Sequence, residues 1–245
     1  MKDLTWIKNG YFAHRGLHTK DLTVPENSIT AFKKAIEKGF GIEMDVNQLK
    51  DGNIVVFHDK NLLRLCGKDI ALKDLTYEEI KTYKILNTDE TIYKLEDVLT
   101  IINGQVPLLI ELKPYGDKES FCSRFMEIMS KYHGVWAMHS FHPSYLSWFR
   151  KNRPEVIRGQ ISEYFEDDPK MKKITKFLMK HLWINVVSKP DFINYGIHNM
   201  PNKYVNRAQK KGIVVIGYAA RSQEDFDRIS KMYSHPVFEF FEPKR

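Results

Sequence analysis

GIEMDVNQLKDGNIVVFHD, residues 41–59, holds two short apolar runs, Ile42 to Val46 and Ile54 to Phe57, joined by the polar segment NQLKDGN. Each run has the length and bounding residues of a β-strand. A parallel crossover needs about a dozen residues, more than this connection offers, and Asp51-Gly52 is a hairpin signal. The second run is therefore expected to lie antiparallel against the first, as an appendage to it. Within the first run Glu43 and Asp45 are two residues apart, so both side chains face the same way.

Working outward, Tyr11–Ala13 reads as an earlier strand, followed by a loop through Pro25 and a helix over 27–38. Its apolar residues Ile29, Ala31, Phe32, Ala35 and Ile36 share one face, and Gly39 ends it. After Asp59 the pattern is mixed, with a short helix suggested by Tyr77, Ile80 and Tyr83 and a longer one over 95–102. Strand and helix patterns then alternate, with strands over 108–112, 135–140, 156–161, 182–187, 213–218 and 237–241. The helices between them are expected over 118–132, from Pro143, and over 169–180, 202–211 and 223–232. Leaving the hairpin strand aside, eight strands alternate with helices, which predicts a (β/α)8 TIM barrel with a small insertion after the HD strand, over about 60–92. An open doubly wound sheet would carry a Gly-rich phosphate turn after an early strand. The chain has no GxGxxG or GxxxxGK, no internal repeat and no linker, so residues 1–245 are read as a single domain.

Composition narrows the class. Hydrophobic residues at 42% and aromatics at 13%, without a biased tract, describe a folded chain. The longest apolar runs are of strand length, far short of the roughly twenty residues of a membrane helix, and the N-terminus is charged where a signal peptide is apolar. No stable membrane insertion is expected. Two cysteines without metal-ligand spacing fit a reducing compartment, and the cytoplasm is the expected location. The net charge of +7 suits an anionic partner. No nucleic-acid motif accompanies it, and the lysines of KMKKITKFLMK, residues 170–180, read as the solvated face of an amphipathic helix.

Barrel sites gather at the C-terminal strand ends. His14 and Arg15 end the first strand, Glu43 and Asp45 stand near the end of the second, and Glu111 and Lys113 near the end of the next barrel strand, while His58 and Asp59 end the hairpin strand. Three carboxylates at one mouth repel one another unless protons or a cation intervene, and a hard divalent ion, Mg2+ or Ca2+, suits such an oxygen-rich set. The alternative is that each carboxylate caps a helix or pairs with a lysine. His14 and His58 can act as general acid and base, and Arg15 and Lys113 can hold phosphate oxygens, Arg through its planar fork. Metal, cations and histidines together describe phosphoryl chemistry.

FAHRG at 12–16, PENS at 25–28, IEMDV, KDGNIVVFHD and LLIELKP at 108–114 resemble, in order and spacing, the glycerophosphodiester phosphodiesterase family. Arg64, YKLEDVL at 93–99 and Ser140-Phe141 add agreement, and the likeness fades beyond Phe141. The resemblance implies a (β/α)8 barrel with Glu43, Asp45 and Glu111 as metal ligands and His14 and His58 as the acid and base pair. It further implies Arg15 and Lys113 on the phosphate, with Glu26 and Asn27 in the turn that supports the site. The chain departs from the family at Tyr218-Ala219-Ala220-Arg221 and in its ending, HPVFEFFEPKR. Tyr218 and Phe141 can still supply aromatic walls for the substrate. The implied activity is metal-dependent hydrolysis of a small anionic glycerophosphodiester to glycerol 3-phosphate and an alcohol. Its rivals are a lysophospholipase D or sphingomyelinase D type activity, with Phe238, Phe240 and Phe241 as an apolar landing surface or as strand core, and a non-catalytic phosphate-binding barrel.

Overall fold

In a computed structural model of the protein, which describes residues 2–245, the chain forms two compact units. One is Phe12–Trp136. The other joins the chain up to Tyr11, with the short helix α1 (Thr5–Lys8), to Ala137–Arg245.

In the unit Phe12–Trp136, β1 (Phe12–Ala13) leads through a loop to helix α2 (Ile29–Glu37) and strand β2 (Gly41–Gln48). The helix starts where the Ser28 hydroxyl accepts the Ala31 N–H. It stops at Gly39, whose φ of +65° few other residues adopt without strain. β2 runs parallel to β1 on one side and, on the other, to β6 (Leu108–Leu112), with Asp45 opposite Glu111. All eight residues of β2 are buried, the mark of a strand covered on both faces. The hairpin expectation holds: β3 (Ile54–Val56) pairs antiparallel with β2, Val46 opposite Val56, and Gly52 at φ +83° makes the turn.

Residues 60–92 carry β4 (Asn61–Leu62), helix α3 (Leu63–Cys66), β5 (Lys68–Ala71), a 3-10 turn over Leu72–Asp74 and helix α4 (Tyr77–Ile80). Leu62, Leu65, Leu72, Leu75, Ile80, Ile85 and Ile92 bury together against Val55 and Phe57, so this segment folds onto the back of the hairpin strand. Helices α5 (Leu95–Ile102) and α6 (Lys118–Met129) complete the unit.

In the second unit, which holds β7 (Trp136–Ser140) from Ala137 onward, β7, β8 (Arg158–Ser162), β9 (Phe192–Gly196) and β10 (Val214–Tyr218) pair in that order; β8 is parallel to β7 and β9, and β9 to β10. Helices α7 (Pro143–Asn152), α8 (Lys173–Lys180), α9 (Asn185–Ser188), α10 (Lys203–Lys210) and α11 (Gln223–Ser230) lie between and after them.

Two strand expectations fail here. Residues 182–187 form a turn and the start of α9, with Trp183, Val186 and Val187 exposed. The strand is FINYG, ten residues later and wholly buried, which is what a parallel strand requires. At 237–241 only a single parallel bridge forms, Ala220 to Phe238. Phe240 takes a left-handed φ of 67° and turns the chain away, while Phe238 is buried and Phe241 packs on Phe226 and Phe238. Among the described residues, no helix is long and apolar enough to cross a membrane.

Candidate active site

The charged and imidazole side chains singled out from the first half of the sequence come together in the unit Phe12–Trp136. Glu43 and Asp45 share one face of β2, and the parallel register sets Glu111 beside Asp45. Each of the three offers an oxygen within 4.8 Å of the other two, and all three are buried. Buried carboxylates without partners would cost several kcal/mol each, so the surroundings must supply positive charge. Lys113, two residues beyond Glu111 on the same side, places Nζ 2.9 Å from Asp45 Oδ1 and 2.6 Å from Glu111 Oε1. Arg15 Nε stands 3.3 Å from Asp45 Oδ2, its Nη1 donates to Glu26 Oε1 at 2.7 Å, and its backbone N–H donates to Glu43 Oε2 at 3.1 Å.

The loop after β1 is shaped for this work. Arg15 and Asn27 both take φ of 54°, and Gly16 follows at +77°, where a Cβ would come within 2.9 Å of Ala31 and Phe32. Left-handed backbone is unfavourable for arginine. It is held there by the Asn27 N–H donating to the Arg15 carbonyl at 2.9 Å. Asn27 also donates from Nδ2 to Asp45 Oδ2 at 2.9 Å and accepts the Asp45 N–H at 3.2 Å.

Electrostatics divides the carboxylates. Burial raises the Glu43 carboxyl above its ordinary value, and the neighbouring Asp45 charge adds to the effect. Burial works against ionising Asp45 too, but Lys113, His58, Arg15 and His14 outweigh it and hold that group well below the carboxylate range. Lys113 is raised, because Asp45 and Glu111 overcome its burial.

Counted as formal charges, five carboxylates (Glu26, Glu43, Asp45, Asp59 and Glu111) face three permanent cations (Arg15, Arg64 and Lys113), two negative charges more than the cations balance when all five are ionised. That donor set and that charge fit one divalent cation with oxygen ligands.

Both histidines act electrostatically on this cluster. His14 Nε2 is 3.9 Å from Glu43 Oε2. His58 Nδ1 lies 2.7 Å from Asp59 Oδ1. That contact favours the proton on Nδ1 and presents Nε2 for proton exchange.

What stands behind that contact was not foreseen from the sequence. Arg64 in α3 donates to both Asp59 oxygens, at 2.7 and 3.1 Å, and to both Glu26 oxygens at 2.7 Å, and Glu26 in turn holds Arg15. A continuous chain, His58, Asp59, Arg64, Glu26, Arg15, thus links one histidine to the arginine at the metal-type cluster. Bonds from His58 and Arg64 hold Asp59 below its ordinary value, and those from Arg64 do the same for Glu26, in both cases against burial. The signal available in the sequence was Arg64 five residues after Asp59, on a one-turn helix. A groove of about 1070 Å3, lined in part by Gln48, Lys60, Asn61 and Tyr115, adjoins the ends of β2 and β6.

Phe141 and Tyr218 belong to the other unit, beyond β7 and at the end of β10. Their rings meet edge to face at 5.9 Å, and Phe165 packs on Phe141 at the same distance. The Tyr218 hydroxyl donates to Glu163 Oε2 at 3.0 Å, a partner that no spacing in the chain foretells. Arg221, which departs from the family pattern, pairs with buried Glu239 at 2.8 Å.

Known proteins resemble the chain along nearly its whole length. A Bacillus subtilis (strain 168) protein, YhdW, is 38% identical over 229 residues, covering 90% of this chain and 89% of its own length. For three other curated relatives the matched stretch spans only 30% to 44% of their length. The structure of an Oleispira antarctica phosphodiesterase in complex with the product sn-glycerol-3-phosphate superposes with a TM-score of 0.81 at 20% identity, covering 98% of this chain and 96% of that one. A glycerophosphodiester phosphodiesterase from Thermotoga maritima gives a TM-score of 0.71 at 26% identity, with 94% of both chains covered. The fold is the (β/α)8 barrel of these proteins. The sequence model of the glycerophosphoryl diester phosphodiesterase family matches from His14 to Glu239, through both compact units, and the chain belongs to that family.

Proposed function

We propose that the chain is a metal-dependent phosphodiesterase that hydrolyses glycerophosphodiesters to glycerol 3-phosphate and an alcohol, working as one domain over residues 1–245. The observation that carries this reading is the buried cluster with two formal negative charges in excess, together with His14 and a His58 oriented through Asp59. Its product is the one bound by the Oleispira phosphodiesterase.

In this reading Glu43, Asp45 and Glu111 hold one Mg2+ or Ca2+ ion. The chemistry such an ion supplies is neutralisation of phosphoryl oxygens as charge shifts in the transition state. Arg15 and Lys113 turn part of their donor capacity from the carboxylates to the phosphate, Arg15 through its fork and Lys113 as a point charge. One of His14 and His58 takes the proton of the nucleophile, and the other protonates the leaving alcohol. Whether water attacks directly or a substrate hydroxyl first closes a cyclic phosphate is decided by trapping the cyclic product. Phe141 and Tyr218, at strand ends of their own unit, contribute apolar surface to the alcohol moiety. The small anionic diester is the partner, and a sequence with only two cysteines, lacking metal-ligand spacing, supports the cytoplasm as the compartment.

Purified protein incubated with glycerophosphocholine or glycerophosphoethanolamine is expected to release glycerol 3-phosphate. EDTA should abolish this, and Mg2+ or Ca2+ should restore it. No cleavage of either diester with any divalent ion defeats the proposal.

A further inference from the structure

The lysine-rich segment that the sequence presents as a solvated helix face carries a second feature. From Pro169 to Lys189 the chain has six lysines and no aspartate or glutamate. It also displays large apolar side chains to water: Ile174 is 62% exposed, Trp183 56%, Val186 76% and Val187 54%, with Phe177 at 40%. Among the described residues, five of the twelve exposed large hydrophobic side chains thus fall within fourteen positions. Scattered exposed apolar residues are ordinary, whereas a contiguous group rimmed by charge marks an interaction surface.

These side chains are contiguous. Ile174 and Phe177 are three apart on α8 and share a face. Phe177 meets Trp183 edge to face at 5.2 Å, and the His181 ring packs at a tilt against Phe177 at 4.0 Å and Tyr204 at 4.2 Å. Trp183 and Val186 line one shallow groove of about 310 Å3 with Arg207 and Lys211. The helix is already anchored on its other side, where Met179 is buried, its carbonyl accepts the Ser162 hydroxyl and the Lys180 carbonyl accepts from Tyr195. The outward residues are therefore not needed to hold α8 in place. The rim is basic, with Lys170, Lys172, Lys173 and Lys189 exposed, Arg207 and Lys211 beside the groove, and Arg150 donating to the Val187 carbonyl.

We propose that the face formed by α8 and α9 docks peripherally on an anionic phospholipid surface, with Trp183, Val186 and Phe177 entering the interfacial layer and the lysines over the headgroups. Charge complementarity selects this occupant. A tryptophan beside aliphatic residues suits the boundary of headgroup and acyl chain. Each lysine held near an anionic leaflet strengthens binding by roughly fivefold. The inference is independent of the proposed catalytic activity.

The test is co-sedimentation of the whole protein with vesicles of phosphatidylglycerol or of phosphatidylcholine. The expected result is at least about tenfold tighter binding to the anionic vesicles, weakened by salt, with a blue shift of fluorescence that disappears in Trp183→Phe. Trp183→Ser with Val186→Ser, and separately Lys172→Glu with Lys173→Glu, should each weaken vesicle binding by about tenfold or more with unchanged circular dichroism. Equal affinity for both vesicles, no binding to either, or full binding by both double variants overturns the proposal. So does a dimer in analytical ultracentrifugation that Trp183→Ser dissolves, because the face would then belong to a second copy of the chain.

Discussion

The strand ends of the two units differ in kind. On or just beyond β1, β2 and β6 stand His14, Arg15, Glu43, Asp45, Glu111 and Lys113, where carboxylates and cations hold one another in a largely buried setting. After β7, β8 and β10 stand Phe141, Glu163 and Tyr218, where aromatic packing prevails and the one carboxylate receives a tyrosine hydroxyl and lies 3.5 Å from His198. In the first set, removing Arg15, Asp45, Glu111 or Lys113 leaves a buried charge without its partner, which costs several kcal/mol. In the second, a change of ring or hydroxyl costs packing or one hydrogen bond. The first unit thus holds the ionisable cluster, and the second presents aromatic surface at its strand ends.

If that division is right, the largest losses come from the histidines of the first unit. His58→Ala and His14→Ala are each expected to lower kcat by at least about a hundredfold, the lower range for a general acid or base. A rate within a few fold of wild type removes the mutated histidine from its role. Asp59→Asn comes next. The amide can still contact Nδ1, but it no longer favours the same tautomer, and it breaks the tie to Arg64. A fall in kcat of roughly ten- to hundredfold is expected, in keeping with partners behind a functional histidine, with a smaller change in KM and an altered pH profile. An unchanged pH profile shows that Asp59 does not act through His58.

Arg64 tests the same chain through stability. Glu26 and Asp59 both have carboxyl groups depressed below their ordinary values by their bonds to Arg64. A depressed carboxyl contributes stability that is present above its unfolded pKa, near about 4, and is lost as pH falls through its folded value. Arg64→Met should therefore destabilise the protein at neutral pH, by on the order of 1 kcal/mol because the side chain is half exposed and water screens it. The difference from wild type should narrow steadily below about pH 4. A gap in melting temperature that stays constant from neutral pH down to about pH 3 contradicts the linkage.

The unequal legibility of the two units has the same physical origin. Glu43 and Asp45 at spacing two, Asp51-Gly52 and the seven-residue connection are local signals, and they sufficed for the face, the turn and the antiparallel direction of β3. Convergence of Glu111 on Asp45 required only that neighbouring strands be parallel and in register. In the C-terminal half, LWINVV and FINYG are both short apolar runs, and periodicity cannot say which one is buried. The structure buries FINYG and exposes Trp183, Val186 and Val187. An interaction face imitates a core strand in composition, and only the fold tells them apart. The chain from His58 to Arg15 was equally hidden, because Arg64 reaches Glu26 across thirty-eight positions of sequence.

The mildest change probes the second unit. Tyr218→Phe keeps the ring that meets Phe141 at a right angle and removes only the hydroxyl that donates to Glu163. Glu163 keeps His198 within 3.5 Å and is partly open to water, so loss of the donor leaves no buried unpaired charge. The cost should be about the net worth of one hydrogen bond, ~1 kcal/mol. If Tyr218 acts as a wall for the alcohol moiety, KM should change by no more than a few fold and kcat should hold. Tyr218→Ala, which removes the wall itself, should raise KM further and by different factors for alcohols of different size. A kcat loss in Tyr218→Phe as large as that of His58→Ala would place the hydroxyl among the proton-transfer groups, and the separation of chemistry from substrate contact between the two units would fail at that residue.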